Sequence, residues 1–189
     1  MNDYLHSGYL CPVNKKTVQK AEDVAGEKET DRERAEALFE WVRDTYCWDM
    51  TKVGGATYLL HKEPARAMSF DKSNLLVSLL RSVEIPARFN FIKCTFQNEY
   101  KDRIDDSIHA PVEVKLDDEW ITADPAFGEH TSQFKSVASF GEKTWKDLKE
   151  SKKLAELPRW FVFMYNHIMR YLHPDVRKIR RELRECQNL

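Results

Sequence analysis

The sequence predicts an α+β fold, with helices at both ends of the chain and a mainly antiparallel sheet between them. Apolar residues recur at helical spacing over residues 35–46 and 69–81, whereas residues 108–116 alternate apolar and polar side chains. Residues 117–124 then supply a turn and a partner strand. Because the chain can bury one sizeable core and no linker interrupts it, we expect a single domain over residues 1–189.

Two short-range patterns predict helices near the N-terminus. Residues 15–25 have the pattern of a short helix closed by Gly26, since glycine is favoured just after a helix C-terminus. Thr30 and Glu33 are spaced as a capping box, in which each side chain accepts a hydrogen bond from the other residue's backbone N–H. Apolar residues follow at helical spacing, so we expect a second helix that ends near Tyr46.

The middle of the chain changes from loop to helix to strand. Residues 51–63 contain two adjacent glycines and are predicted to form a loop with a short helical turn around residues 58–60. A polar residue, Ser69, then opens an amphipathic helix that runs to Arg81. Residues 89–96 are rich in strand-forming side chains, and the polar segment 97–106 is predicted to be an exposed loop.

The last quarter of the chain is predicted to be mainly helical, as an extension over about residues 144–187. Residues 144–154 are charged, and residues 159–172 are apolar on more than one side, which predicts a buried helix. Pro174 ends that helix, and residues 175–186 form a basic terminal helix. Its Lys and Arg side chains form either a solvated face or a docking surface for a partner.

Composition excludes several classes of function. Thirty basic and 31 acidic residues leave a formal net charge of −1, which gives no support to a general nucleic-acid or acidic-lipid binder. We see neither a secretory signal nor an apolar run of membrane-spanning length, so we expect a cytoplasmic protein with no membrane partner. The four cysteines are widely spaced and are therefore expected to be reduced thiols.

The predicted hairpin permits a geometric argument about His109 and Asp124. If Leu116 and Glu119 flank the turn, then Pro111 lies opposite Asp124. His109 and Asp124 are then diagonal neighbours on one face, roughly 7–8 Å apart between Cα atoms and within reach of a side-chain hydrogen bond. A carboxylate in that position can hold an imidazole in one tautomer and stabilise its protonated form. A turn of odd length would destroy this pairing.

Ser69 occupies a position at which Cys-His enzymes place a thiolate. The first turn of a helix offers unpaired backbone N–H groups and the positive end of the helix dipole, and this field lowers a thiol pKa. Considered alone, Ser69 is typical of an N-cap, His109 of a partly exposed strand residue, and Asp124 of a strand exit. Considered together, they supply a nucleophile position, a base and an orienting carboxylate.

Here the chain resembles the transglutaminase-like superfamily, a branch of the papain-like cysteine enzymes. The segments that carry the likeness are residues 34–44, 67–69, 75–88, 109–110 and 120–125. In that family Gly-x-Cys opens the central helix, His-Ala-Trp begins a strand, and Asp-Pro closes the next strand. The resemblance implies a papain-like core over about residues 31–127, with the central helix packed on a mainly antiparallel sheet, and a Cys-His-Asp acyl-transfer triad.

This chain departs from the family pattern at the nucleophile. Ala67 and Ser69 stand in place of Gly and Cys, and Pro111 replaces the Trp that follows His-Ala. A serine stays neutral at pH 7, so it could act only with general-base help from His109. Three hypotheses follow: Ser69 is the native nucleophile, Ser69 is a silencing replacement of cysteine, or the protein is an inactive module that binds a protein or peptide.

The resemblance implies a hydrolase or acyltransferase whose partner is a peptide, protein or small acyl substrate. No organic cofactor is expected, and no metal, because the histidines have no close ligand spacing with cysteine or carboxylate. Cys47 and Cys94 are alternative nucleophiles, but their positions favour small core residues. Trp48 and Tyr58 are candidates to line the pocket or to donate to an oxyanion.

Overall fold

A computed structural model describes most of the chain and confirms the α+β class. The described residues are 4–48, 55–62, 66–98, 103–126, 140–141, 152–157, 159–160, 163–164 and 167. The elements in chain order are α1 (Lys15–Ala25), α2 (Asp31–Thr45), β1 (Cys47–Trp48), α3 (Gly55–Lys62), β2 (Arg66–Ala67), α4 (Ser69–Ser82), β3 (Ala87–Asn98), β4 (Arg103–His109), β5 (Val112–Leu116), β6 (Glu119–Ala123) and β7 (Lys152–Leu154).

Local capping determines where the first helices begin. At α2, the Glu33 N–H donates to Thr30 Oγ1 at 3.2 Å and the Thr30 N–H donates to Glu33 Oε2 at 3.0 Å, which confirms the predicted capping box. Helix α1 has the same arrangement between Asn14 and Thr17. Helix α1 ends where predicted, although Gly26 adopts a right-handed helical conformation rather than the left-handed one that favours glycine.

The prediction of a loop over residues 51–63 is wrong for residues 55–62, which form helix α3. The reason is a contact from a distant helix. The Asp71 side chain in α4 accepts a hydrogen bond from the Gly55 N–H at 2.6 Å, at the N-terminus of α3. A buried carboxylate there satisfies a backbone donor and favours helix initiation. Gly55 has φ of 67°, which a glycine adopts without strain.

Two other secondary-structure predictions need correction. The polar segment 97–106 was expected to be an exposed loop, but β3 continues to Asn98 and β4 begins at Arg103. The antiparallel pairing of these strands supplies the backbone hydrogen bonds despite the polar composition. Residues 152–154, expected to be helical, form strand β7, which pairs with β3.

The sheet has one continuous register along β3. Phe89 pairs with Val112 in β5, and Ile92 pairs with His109 in β4, so β4 and β5 form a single arm that is interrupted at Ala110-Pro111. Pro111 has no N–H to donate, although its carbonyl accepts from the Asn90 N–H at 2.9 Å. The strand predicted over residues 108–116 is therefore split at Pro111.

The hairpin between β5 and β6 has the predicted register. Leu116 pairs with Glu119 across the turn, and Val112 pairs with Ala123 at the other end. The turn residues Asp117 and Asp118 have φ values of 50° and 65°. Positive φ at two successive turn residues matches the right-handed twist of the strands and is tolerated by Asp.

Helix α4 lies at the centre of the domain. It packs against α1, α2 and α3 on its helical side and against β3 and β5 of the sheet. Every residue from Phe70 to Arg81 is buried, so the amphipathic pattern understates the burial of this helix. Arg81 donates to the backbone carbonyls of His6, Ala87 and Ala155, which satisfies its buried guanidinium.

The described positions within residues 159–172 are helical. They are exposed, so the prediction of a buried helix is wrong for them. Trp160 is 63% exposed, Phe163 is 65% exposed and Met164 is 43% exposed. The predicted helices over residues 175–186 and most of 144–154 lie outside the described residues. Within the described part of the chain, no helix combines the length and hydrophobicity needed to cross a bilayer.

Candidate active site

A buried imidazole and a buried carboxylate meet at the end of the sheet. His109 is the last residue of β4 and Asp124 directly follows β6. His109 Nε2 lies 2.9 Å from Asp124 Oδ2, and the two residues are 3% and 2% exposed. The predicted contact between them is therefore present. The second carboxylate oxygen, Oδ1, accepts from the Ala126 N–H at 3.2 Å, so both oxygens of Asp124 are held.

This contact determines how His109 can act. A carboxylate only accepts hydrogen bonds, so Nε2 is the nitrogen that carries the proton in the neutral ring. The lone pair then resides on Nδ1, on the other edge of the imidazole. An ion pair between Asp124 and the imidazolium stabilises the protonated ring when Nδ1 takes a second proton. The pair has the arrangement of a base and its orienting group.

Ser69 is the first residue of α4 and is partly exposed. The N-cap is Met68, so the interpretation of Ser69 as an N-cap is wrong. The first backbone hydrogen bond of the helix runs from the Lys72 N–H to the Met68 carbonyl at 3.0 Å. The amides of residues 69–71 therefore precede the helical ladder, at the positive end of the helix dipole. This is the environment that the sequence predicts for the nucleophile position.

Lys72 joins the first turn of α4 to the His109–Asp124 pair. Its Nζ donates to the carbonyl of Ala126 at 3.3 Å, and the Ala126 N–H donates to Asp124 Oδ1. Ser69 and Lys72 are three residues apart and so lie on one face of the helix. The structure therefore brings His109 and Asp124 into direct contact, and it connects them to the helical turn that begins at Ser69.

Lys72 is a residue that the sequence analysis missed. It is fully buried, and its Nζ also donates to the carbonyls of Arg43 and Tyr46, each at 2.8 Å. Burial lowers its pKa to about 8, because desolvation disfavours the ammonium, and the carboxylates of Asp124 and Asp44 oppose that shift. The sequence feature that could have indicated its burial is a lysine in the first turn of a helix whose following turns are apolar.

The other candidates have mixed outcomes. Cys47 is exposed on β1, so the expectation that it is a core residue is wrong. Cys94 lies in β3, but its side chain is outside the described residues. Trp48 pairs in parallel with Ala67, so the Trp48 backbone lies beside the segment that leads into α4, and Tyr58 is buried on α3. Where side chains are described, no cluster of His, Cys, Asp and Glu could hold a metal ion.

Comparison with solved structures agrees with the fold. A solved structure described as "a Putative Cysteine Protease from Cytophaga hutchinsonii" is similar to this chain, with a TM-score of 0.55 and 20% identity. The similarity covers 65% of this chain and 40% of that one, so this chain spans about two fifths of its neighbour's length. At that identity the likeness shows the fold alone. No curated protein gives a match.

The family comparison covers the site itself. The model of the transglutaminase-like superfamily matches residues 18–125, a range that contains Ser69, His109 and Asp124. The match spans more than half of the chain and includes the central helix and the hairpin. The resemblance found in the sequence is therefore confirmed: the chain belongs to the transglutaminase-like superfamily.

Proposed function

We propose that this protein is a transglutaminase-like acyl-transfer protein that hydrolyses an amide, peptide or related acyl bond. In this proposal residue 69 is the nucleophile, His109 is the general base and Asp124 orients the imidazole. The observation that carries the proposal is the buried 2.9 Å contact between His109 Nε2 and Asp124 Oδ2. A buried His–Asp pair whose second oxygen is also held is what general-base catalysis of acyl transfer needs.

The reaction follows from the roles of these groups. Ser69 Oγ attacks the substrate carbonyl carbon while its proton passes to His109 Nδ1, and backbone N–H groups at the start of α4 stabilise the oxyanion. His109 then protonates the leaving amine or alcohol as the acyl bond breaks, which leaves an acyl-serine. Water attacks this ester, gives its proton to His109, and releases the acid, and Ser69 recovers its proton. The steps balance without a metal or an organic cofactor.

Ser69 itself supports a second candidate function. A hydroxyl is a far weaker acid than a thiol, so the field at a helix N-terminus that would ionise a cysteine leaves this serine neutral. A site built for a thiolate–imidazolium pair would then bind without turnover. The alternative is a catalytically inactive module that retains the fold and binds a peptide or protein.

Covalent labelling tests the proposal at residue 69. The wild-type protein and the Ser69→Cys variant are treated with a fluorophosphonate and a peptidyl vinyl sulfone respectively, and adducts are located by peptide mass mapping. A Cys47→Ser background removes the exposed thiol on β1. We expect an adduct on residue 69, formed about 100-fold more slowly after His109→Ala, the usual loss when a general base is removed. If residue 69 is unlabelled in both proteins, the catalytic proposal fails.

A substrate screen separates the two candidate functions. Wild type and His109→Ala are incubated with a peptide library, and both bound and cleaved peptides are identified. Cleavage by the wild type alone supports hydrolysis, whereas retention of the same peptides by both proteins with no product supports the binding module. Equal product from both proteins contradicts a catalytic role for His109.

A further inference from the structure

A fully buried lysine that takes part in no step of the proposed reaction lies beside the candidate site. Lys72 is 0% exposed, although lysine is almost never fully buried unless it is paired. Its Nζ reaches two carbonyls at the end of α2, those of Arg43 and Tyr46, and the carbonyl of Ala126. An ammonium has three hydrogens, and these carbonyls provide an acceptor for each of them.

The contacts of Lys72 continue without a gap to the imidazole. The Ala126 carbonyl accepts from Lys72, the Ala126 N–H donates to Asp124 Oδ1, and Asp124 Oδ2 contacts His109 Nε2. The peptide segment after Asp124 is therefore held from both sides of Ala126. If this segment moved, the carboxylate would lose the N–H that fixes its rotation, and its other oxygen would leave the line of the imidazole N–H.

The charged and titratable groups near Lys72 come from several elements. Asp124 follows β6, Asp44 and Arg43 lie on α2, and Cys47 lies on β1. The end of α2 presents carbonyls at the negative end of its dipole, which favours a cation. In the ammonium form, the three hydrogens of Nζ have these three carbonyls as acceptors, and Nζ then has no lone pair to accept a proton from Ser69.

We infer that Lys72 is a positioning residue that holds Asp124 in line with His109. It acts by fixing the backbone at Ala126, whose N–H holds the Asp124 carboxylate. The effect of Lys72 on catalysis rests on the proposed function, whereas its effect on the geometry of the His109–Asp124 pair does not. A purely structural lysine that only joined α2 to α4 would leave the His109–Asp124 contact unchanged when it was removed.

The test reads the imidazole directly by nitrogen-15 NMR. In the wild type, at a pH where the ring is neutral, we expect the spectrum to place the His109 proton on Nε2. In Lys72→Met, which keeps the length of the side chain and removes its donors, we expect the two ring nitrogens to approach averaged shifts. Lys72→Gln, which retains amide N–H donors, should lie between them, and it provides the reading if Lys72→Met does not fold.

Arg81→Met is the matched control. Arg81 is the other buried cation described on α4, and it also donates to backbone carbonyls, but at the opposite end of the helix. We expect this variant to lose stability and to keep the wild-type His109 spectrum. An unchanged His109 spectrum in the Lys72 variants would overturn the inference, and so would an equal change in Arg81→Met.

Two further readings complete the test. In the wild type, the Lys72 ammonium should give a slowly exchanging signal with contacts to the Ala126 region, and its absence would contradict the inference without any variant. In the Ser69→Cys protein, Lys72→Gln should lower kcat about 10- to 100-fold with little change in KM, as misplacement of a catalytic group does. If residue 69 proves unreactive, the proposed function fails but the NMR result stands by itself.

Discussion

The buried ion pair between Arg88 and Glu113 allows a quantitative prediction. Glu113 Oε2 accepts from Arg88 Nε and Nη2, each at 2.8 Å, and the two side chains are 10% and 7% exposed. The guanidinium also lies 3.6 Å from the centre of the Trp120 ring. Lys153 Nζ is 3.4 Å from the other Glu113 oxygen, but it is 46% exposed and contributes little.

The perturbation is Glu113→Gln, which keeps the shape of the side chain and removes its charge. Breaking a buried pair by removing one partner typically costs about 3–5 kcal/mol, because a buried charge is left uncompensated. Trp120 still stacks on Arg88, so we expect the lower end, about 3 kcal/mol. For a chain of this size that corresponds to a fall in Tm of about 6–12 °C.

Urea unfolding followed by tryptophan fluorescence measures this change. The matched control is Asp118→Asn, which breaks the ion pair to Lys115 on the same hairpin, where the Asp118 side chain is 95% exposed. We expect no measurable change in that control, because solvent screens the pair. The double variant Arg88→Met with Glu113→Leu should recover most of the loss, since apolar replacements leave no unpaired charge. Equal midpoints for Glu113→Gln and Asp118→Asn would refute the reasoning.

Three other predictions concern thiols, a buried cation and a helix cap. Near pH 8, iodoacetamide should modify the exposed Cys47 and spare Cys11, because burial raises the pKa of Cys11 to about 11. Comparable labelling of both cysteines in peptide maps of the native protein would contradict this. Between about pH 8 and pH 10.5 the unfolded chain keeps a proton on Lys72 that the folded chain loses, so the free energy of unfolding of the wild type rises with pH in this range. Relative to Lys72→Met, measured by urea unfolding, the wild type should gain on the order of 3 kcal/mol across this range. Below pH 8 the difference between the two proteins should not change with pH. Thr30→Ala should lower the free energy of unfolding by about 1 kcal/mol through loss of the α2 cap, and calorimetry that finds no change would refute the capping argument.

The local part of the fold could be read from the sequence. The capping box at Thr30 and Glu33 involves residues within one turn, so its geometry follows from spacing alone. The register of the β5–β6 hairpin also depended only on the length of its turn. Once Leu116 paired with Glu119, the alternation of side chains placed His109 and Asp124 as diagonal neighbours. The central helix and the hairpin also carried enough of the family pattern to identify it.

Other features could not be predicted because their causes lie far away in the chain. Helix α3 begins where Asp71, 16 residues later, accepts from the Gly55 N–H. The polar ends of β3 and β4 became strands because each supplies the other's backbone partners. The sequence does not indicate the partners of Lys72, because its carbonyl acceptors come from α2 and from the segment after β6.

The sequence by itself determined the fold family, the helix caps and the parity that pairs His109 with Asp124, because each depends on spacing between near neighbours or on a continuous motif. The tertiary structure decided that this pair is buried, that both Asp124 oxygens are held, and that a lysine on the central helix connects them to the turn of Ser69. Burial and long-range hydrogen bonds arise only when separate elements pack together. No local pattern records which distant carbonyl a lysine will find.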